Sequence, residues 1–426
     1  MATYRHAKGP SVLQILIIVL VVVLSIAILA GAAFAVYHFA FDKEEPTEPM
    51  RPSTIPSIAT VDEAPTEAPT ENPDMQYEVM AKDYLKSMSA DEKIYQMLLV
   101  TPESLTGVDV ATIAGDTTKA AIEKYPVGGI IYDAQNLEDT SQTTDLIKNS
   151  QSFAKTAMFI AVAEEGGENS PVSSKLSTTA FEDMSTYSEN GEQKAFDIAS
   201  TIAKDIAKLG FNLNLAPVSN LEGDNAFGSD AATVSPFIAQ AVKGYQENGV
   251  ISALKYFPVA KDTDKAASEL TSSEFLPFSA GIQNGVGAIV VGNVKVNPID
   301  SANPAFMSER FVSELLIKDL KFNGVVMTQS LSDETITSNY STDEIVAKTI
   351  NAGVNVLLAP ENIDEYFESI KSALADGKIT QEQIDSSVTK ILTLKFKFGI
   401  LGTTATTTPS ENASETPTEV STQIAQ

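Results

Sequence analysis

The sequence predicts an α/β fold: a (β/α)8 barrel of the TIM type over residues 77–402, preceded by one transmembrane helix and a disordered stalk. Three observations predict it. Eight short apolar runs recur through this stretch, amphipathic segments of helical period lie between them, and the composition changes at both edges to Pro/Thr/Glu-rich sequence. Alternating strand-like and helix-like segments mark a parallel sheet covered by helices. An open doubly wound sheet shares that alternation; eight units favour closure.

From the start of the chain, residues 1–10 carry Arg5 and Lys8, and residues 11–37 carry no charge at all. At about 1.5 Å per residue a helix over 11–37 reaches ~40 Å, enough for a ~30 Å hydrocarbon core. Arg5 and Lys8 precede it while Asp42, Glu44 and Glu45 follow. That bias puts residues 1–10 in the cytoplasm and the main domain outside, at the cell membrane. A cleaved signal peptide is the rival reading, helped by small residues around Ala30 to Ala35. Its apolar core is usually about 7–15 residues, shorter than this one. Residues 38–76 repeat PTE at 46, 65 and 69, and the tail 403–426 repeats it at 417. Such segments have little to bury and are stiffened by proline, so both read as extended linkers.

Between them the apolar runs are MLLVT (97–101), GGIIY (128–132), MFIAV (158–162), NLNLA (212–216), ISALKYF (251–257), GAIVVG (287–292), GVVMT (324–328) and VNVLLA (354–359). Near-continuous apolar character is what strands buried on both faces require. Helical period appears at 139–155, 190–208, 231–248, 309–320 and 380–398.

Composition narrows the chemistry. The 426 residues include no Cys, and the two histidines, His6 and His38, flank the uncharged run. The domain therefore has no imidazole and no thiolate, which excludes a Ser-His-Asp triad and any His- or Cys-based metal site. No metal and no cofactor is expected. GxGxxG, Walker A and HExxH motifs are absent. A net charge of −27 argues against nucleic acid as a partner.

In such barrels chemistry sits where the strands end. The segments there are AEEGGENS (163–170) after strand three, PVSNLEGDNAFGSD (217–230) after strand four, KYFPVAKDTDKAASEL (255–270) at the end of strand five, GNVKVNP (292–298) after strand six and TQSLSD (328–333) after strand seven. Here the domain resembles the barrel of glycoside hydrolase family 3, in its β-N-acetylglucosaminidase/β-hexosaminidase branch, over essentially all of 85–401. SADEKIYQML (89–98), GGIIYDAQNLED (128–139), GFNLNLAPVSNL (210–221), AFGSD (226–230), KYFP (255–258), FNGVVMT (322–328), AGVNVLLAP (352–360) and IDSSVTKILTLKFKFGIL (384–401) resemble family blocks in the family's order.

The resemblance implies a retaining displacement, in which a carboxylate attacks the anomeric carbon and an acid/base serves the leaving oxygen and then water. It places the nucleophile at Gln329, in Thr328-Gln329-Ser330, and the acid/base at Ser268, in Ala266-Ala267-Ser268. Neither residue can do that work. An amide is uncharged, and the branch's acid/base is a histidine. The sugar-holding segment corresponds to Ala163-Glu164-Glu165-Gly166-Gly167-Glu168, an arginine position to Asn225, and a histidine position to Asn293. Lys255 alone stands as the branch has it.

The candidate substrate-binding residues are Lys255, Glu165, Asn225, Asp262 and Asn293. Lys255 is read two ways, as a sugar contact or as the partner of a nearby carboxylate. Glu164 and Glu165 fit turn structure better than ligand contact, Asp262 and Asp264 fit solvated loop carboxylates, and Tyr256 and Phe257 fit packing better than stacking. The expectation is a membrane-anchored, extracellular homologue with its active site dismantled, acting by binding a cell-wall or other glycan, or by scaffolding. One alternative is a working glycosidase with atypical residues, for instance with Asp333 substituting for the nucleophile. Another is a structural interaction domain.

Overall fold

The structure is a computed structural model, and it describes residues 74–402 except 224, 260–269, 271 and 297–298. The expected span 11–37, most of the linker, the tail 403–426, and the positions Asp262 and Ser268 lie outside the described residues. Among the described residues no helix is long and apolar enough to cross a membrane.

Eight parallel strands form one sheet in the order β7-β6-β5-β4-β3-β2-β1-β8. They are β1 Leu98–Val100, β2 Gly129–Ile131, β3 Phe159–Val162, β4 Leu213–Asn214, β5 Ile251–Phe257, β6 Ala288–Val291, β7 Val325–Thr328 and β8 Leu357–Leu358. The sheet closes on itself between its two ends. Met327 bridges Val356, and the Thr328 N–H donates to the Val356 carbonyl at 3.0 Å. Each strand falls inside its apolar run, and nearly every strand residue is buried. Two asparagines repeat one device at strand entrances. The Asn212 carboxamide accepts from the Ile160 N–H, and that of Asn355 from the Val326 N–H, each at 2.9 Å. A side chain thereby adds a rung to the backbone ladder at these positions.

The helices begin where capping chemistry places them. Ser89 and Thr380 form capping boxes with Glu92 and Gln383, and Asp139, Asp230, Ser341 and Asn362 each accept a backbone N–H of the first turn. The first described helix, Met75–Leu85, starts two residues ahead of the boundary expected at 77. It packs on the last, Gln381–Lys397, through Tyr84 against Phe396. The segment Arg310–Asp319, expected as an α-helix, winds with the wider π pitch.

Lys395, on that last helix, is wholly buried. Its Nζ donates to Gln96 Oε1 at 2.8 Å and lies 4.9 Å from the centre of the Phe159 ring. Burial without a carboxylate partner pushes its ammonium down to about 7, from an ordinary 10.5. Between those values the unfolded chain holds a proton that the folded chain has shed, so this group's contribution to stability rises with pH across that window. Below about 7 the desolvation cost is fully present. Lys395→Met is therefore expected to flatten stability against pH between 7 and 10, by at most about 1.4 kcal/mol per pH unit. Urea midpoints of both proteins at pH 7, 8 and 9 check this; parallel slopes contradict it.

Candidate functional site

The carboxyl ends of β3 to β7 bring most of the expected site residues together. β5 carries a register shift against β6 between Leu254 and Phe257, at the position of Lys255. Irregularities of this kind re-aim a side chain out of the ladder. The Lys255 ammonium forms an ion pair with the Glu165 carboxylate, which follows β3. Both side chains are at most 5% exposed. Lys255 thus pairs with a carboxylate inside the barrel mouth.

Asn225 completes the group. It sits in the left-handed region at φ +59°, which asparagine tolerates better than most residues. Its Nδ2 donates to Glu165 Oε2 at 3.2 Å and to the Gly166 carbonyl at 2.8 Å. Its Oδ1 is buried with no hydrogen-bond partner among the described residues. Asn169 Nδ2 adds a longer contact to the same Glu165 oxygen, at 3.4 Å.

Over this group runs the segment around Asp183, which sequence reasoning missed. The Asn225 N–H donates to Asp183 Oδ2 at 3.1 Å, and the Gly167 N–H to the Phe181 carbonyl at 3.0 Å. Burial pushes the Asp183 carboxyl up, but hydrogen bonds from Ser185 and Asn225 outweigh it and hold the group below its ordinary value. Gly167 packs tightly against Asn225. A Cβ there would meet Asn225 Oδ1 at 2.4 Å, and its φ of +58° is one that side chains resist. No local motif announces Asp183. Its role comes from a bond to a residue 42 positions away.

Glu164 behaves as the sequence suggested, as structure. Its carboxylate accepts the Val172 and Ser173 N–H groups at 2.7 and 3.1 Å, at the start of the helix Pro171–Lys175. Burial pushes its carboxyl up against the opposing pull of those bonds. Phe257 is packing, enclosed by Phe275 and Phe278. Tyr256 is half-buried, and its backbone is held in both directions by the Asn220 carboxamide at 2.8 Å.

Gln329 follows β7 and is 5% exposed. Its N–H continues the ladder to the Val291 carbonyl at 2.9 Å, and its Oε1 accepts the Asn293 N–H at 3.2 Å. The Asn293 carboxamide in turn donates to Asp333 Oδ2 and Thr335 Oγ1, both at 3.2 Å. Asp333 is committed to capping the short helix Glu334–Thr337, where its Oδ1 receives the Thr335 N–H and hydroxyl at 3.0 and 2.7 Å. Gly292 joins the halves of the site: a Cβ there would lie 3.6 Å from Tyr256 Cβ and 3.7 Å from Gln329 Oε1. The ends of β3, β5 and β7 thus share one face, as expected. Asp262 and Ser268, in the stretch after β5, are outside the described residues. Among the described residues no cluster of His, Cys, Asp or Glu could hold a metal ion.

Chemically, the described part of the site offers one neutralised ion pair and a set of carboxamides and hydroxyls. It can exchange hydrogen bonds with a polyol, and Gln329 presents an uncharged carboxamide just after β7.

Residues 89–394 match the glycosyl hydrolase family 3 N-terminal domain. Among curated proteins, β-hexosaminidase A of Pseudoalteromonas piscicida is 28% identical over 65% of this chain and 54% of its own. The β-N-acetylglucosaminidase/β-glucosidase of Cellulomonas fimi is 26% identical over 74% of this chain and 59% of its own. The chain therefore spans little more than half the length of these relatives. A family 3 β-N-acetylglucosaminidase from Paenibacillus sp. str. FPU-7 superposes with a TM-score of 0.66 at 24% identity, covering 77% of this chain and 66% of that one. At that identity the likeness carries the fold, and it agrees with the eight-stranded barrel. With the family's domain matched across most of the described residues, this chain belongs to glycosyl hydrolase family 3.

Proposed function

We propose that this domain binds a glycan without cleaving it. The observation that carries the reading is Gln329: an uncharged carboxamide stands at the position where the family resemblance puts the nucleophile, and its oxygen is engaged by the Asn293 N–H. An amide has no charge with which to trap an oxocarbenium-like centre. Around it stand groups able to hydrogen-bond a sugar: Lys255, Glu165, Asn225 and Asn293. The relatives' names, β-hexosaminidase and β-N-acetylglucosaminidase, point to N-acetylhexosaminides as the ligand class.

Calorimetric titration with N-acetylglucosamine oligomers tests the reading. Saturable binding is expected, weakened about tenfold by Gln329→Leu, the worth of a hydrogen-bonding group of about 1.4 kcal/mol. No heat of binding from any oligomer up to the hexamer would remove the glycan from the proposal.

We further propose that the barrel is displayed outside the cell on an uncleaved N-terminal anchor. The uncharged run 11–37 and the Arg5/Lys8 bias support this topology. Protease added to intact cells should release the barrel into the medium. Complete protection of the domain would rule the orientation out.

A further inference from the structure

A well-formed cleft lies away from the Gln329 site. A cavity of about 690 Å³ lies at the other end, where the chain enters β6 and β7, between the helices Met75–Leu85 and Gln381–Lys397. Its volume is in the range that holds a small organic molecule, about 300–1,000 Å³. Leu85, Val286, Phe322 and Leu394 give it an apolar lining.

Its charges do not cancel evenly. Four lysines line it, and two are committed: Lys82 to Glu78, and Lys397 to Asp74 at 2.8 Å. Lys321 and Lys390 make no ion pair or hydrogen bond among the described residues. Of the remaining lining carboxylates, Asp385 is taken by Lys93 at 2.9 Å. Glu382 is exposed in the first turn of its helix. Eight residues separate it from Lys390, about 12 Å along the axis. Lys390 is half-buried, and burial lowers its ammonium from the ordinary value. On a protein of net charge −27, an uncompensated cation beside apolar side chains stands out. An anion held there recovers the interaction that burial has taken from the ammonium.

We propose that this cleft is a second binding site, for an amphipathic anion with an apolar body and a single carboxylate, sulfonate or phosphate head. The apolar body fills the space beside Phe322 and Leu394, and the head meets Lys390, with Lys321 at the rim. The site is independent of the glycan reading, because none of its residues belongs to the Gln329 group.

Three probes of one shape separate the terms: naphthalene-2-sulfonate, 2-naphthol and 2-naphthylmethylammonium, each titrated calorimetrically into the full chain. Naphthalene-2-sulfonate is expected to bind at one site per chain, at least tenfold tighter than either analogue. Lys390→Met should weaken it about tenfold and leave the thermal midpoint in place. Lys321→Glu, an exposed change that does not test the core, should weaken it severalfold, and Leu394→Trp should block it by filling the space. Equal affinity for the neutral naphthol would reduce the cleft to an apolar hollow. No saturable binding, or binding indifferent to both lysine substitutions, would overturn the proposal.

Discussion

Purified protein is expected to leave a chromogenic N-acetyl-β-glucosaminide intact over days, at any pH from 4 to 9. Acid–base assistance alone is worth about 10²–10⁴-fold to a glycosidase, and the resemblance puts Ser268, a group with no useful proton affinity, in that role. The same resemblance puts the nucleophile at Gln329, an uncharged amide whose Oε1 accepts the Asn293 N–H. Asp333 is a poor substitute, because its carboxylate oxygens serve Thr335 and Asn293. Gln329→Asp should also remain inactive. It supplies one carboxylate while Ser268, Asn225 and Ala163 stay as they are. Two outcomes would redirect the argument. Turnover by the native protein that Gln329→Ala abolishes would mean that the amide position is catalytic after all. Turnover that survives that change and dies with Asp262→Asn would move the chemistry to the stretch after β5.

The second large effect is on stability. Lys255→Met is expected to cost about 3–5 kcal/mol, because it strands the Glu165 carboxylate in a site at most a few per cent exposed. The double variant Lys255→Met/Glu165→Gln should recover most of that loss, since a buried ion pair mainly repays its own desolvation. Asn225 Nδ2 can donate to the glutamine oxygen as it does to the carboxylate. Urea unfolding at pH 7 of the native chain, both single variants and the double variant gives the coupling energy directly. A Lys255→Met protein within about 1 kcal/mol of native would show that water reaches the pair and screens it.

The two predictions draw on different levels of legibility in the sequence. The strands could be read because each is enclosed on both faces, so GVVMT or GAIVVG stands out as uninterrupted apolar sequence against polar turns. Helix starts could be read because the N–H groups of a first turn need a short polar side chain nearby, as with Ser89 and Thr380. The face shared by Glu165, Lys255 and Gln329 followed from the barrel itself, since parallel strands end on one side. What stayed hidden was the partnering. Nothing local in AEEGGENS says that Glu165 meets Lys255, 90 residues on, or that Asp183 holds the Asn225 backbone. Such contacts depend on the path of loops across the barrel mouth, which carry no periodicity to read. The π pitch of Arg310–Asp319 is equally silent, because its apolar spacing suits an α-helix as well.

The pairing of the first and last described helices has a mechanical consequence. Asp74 is held to Lys397 at 2.8 Å, and Tyr84 lies edge-on to Phe396, with its hydroxyl 3.1 Å from Thr156 Oγ1. A pull arriving along the backbone from residue 74 meets this helix seam before it meets any strand. Tension there peels Met75–Leu85 away a turn at a time. The hydrogen-bonded ring of strands, closed through Met327 and Val356, is not in the line of force. Under load the first helix is expected to come away before the barrel opens, which a force–extension trace would show as a small step ahead of the main one.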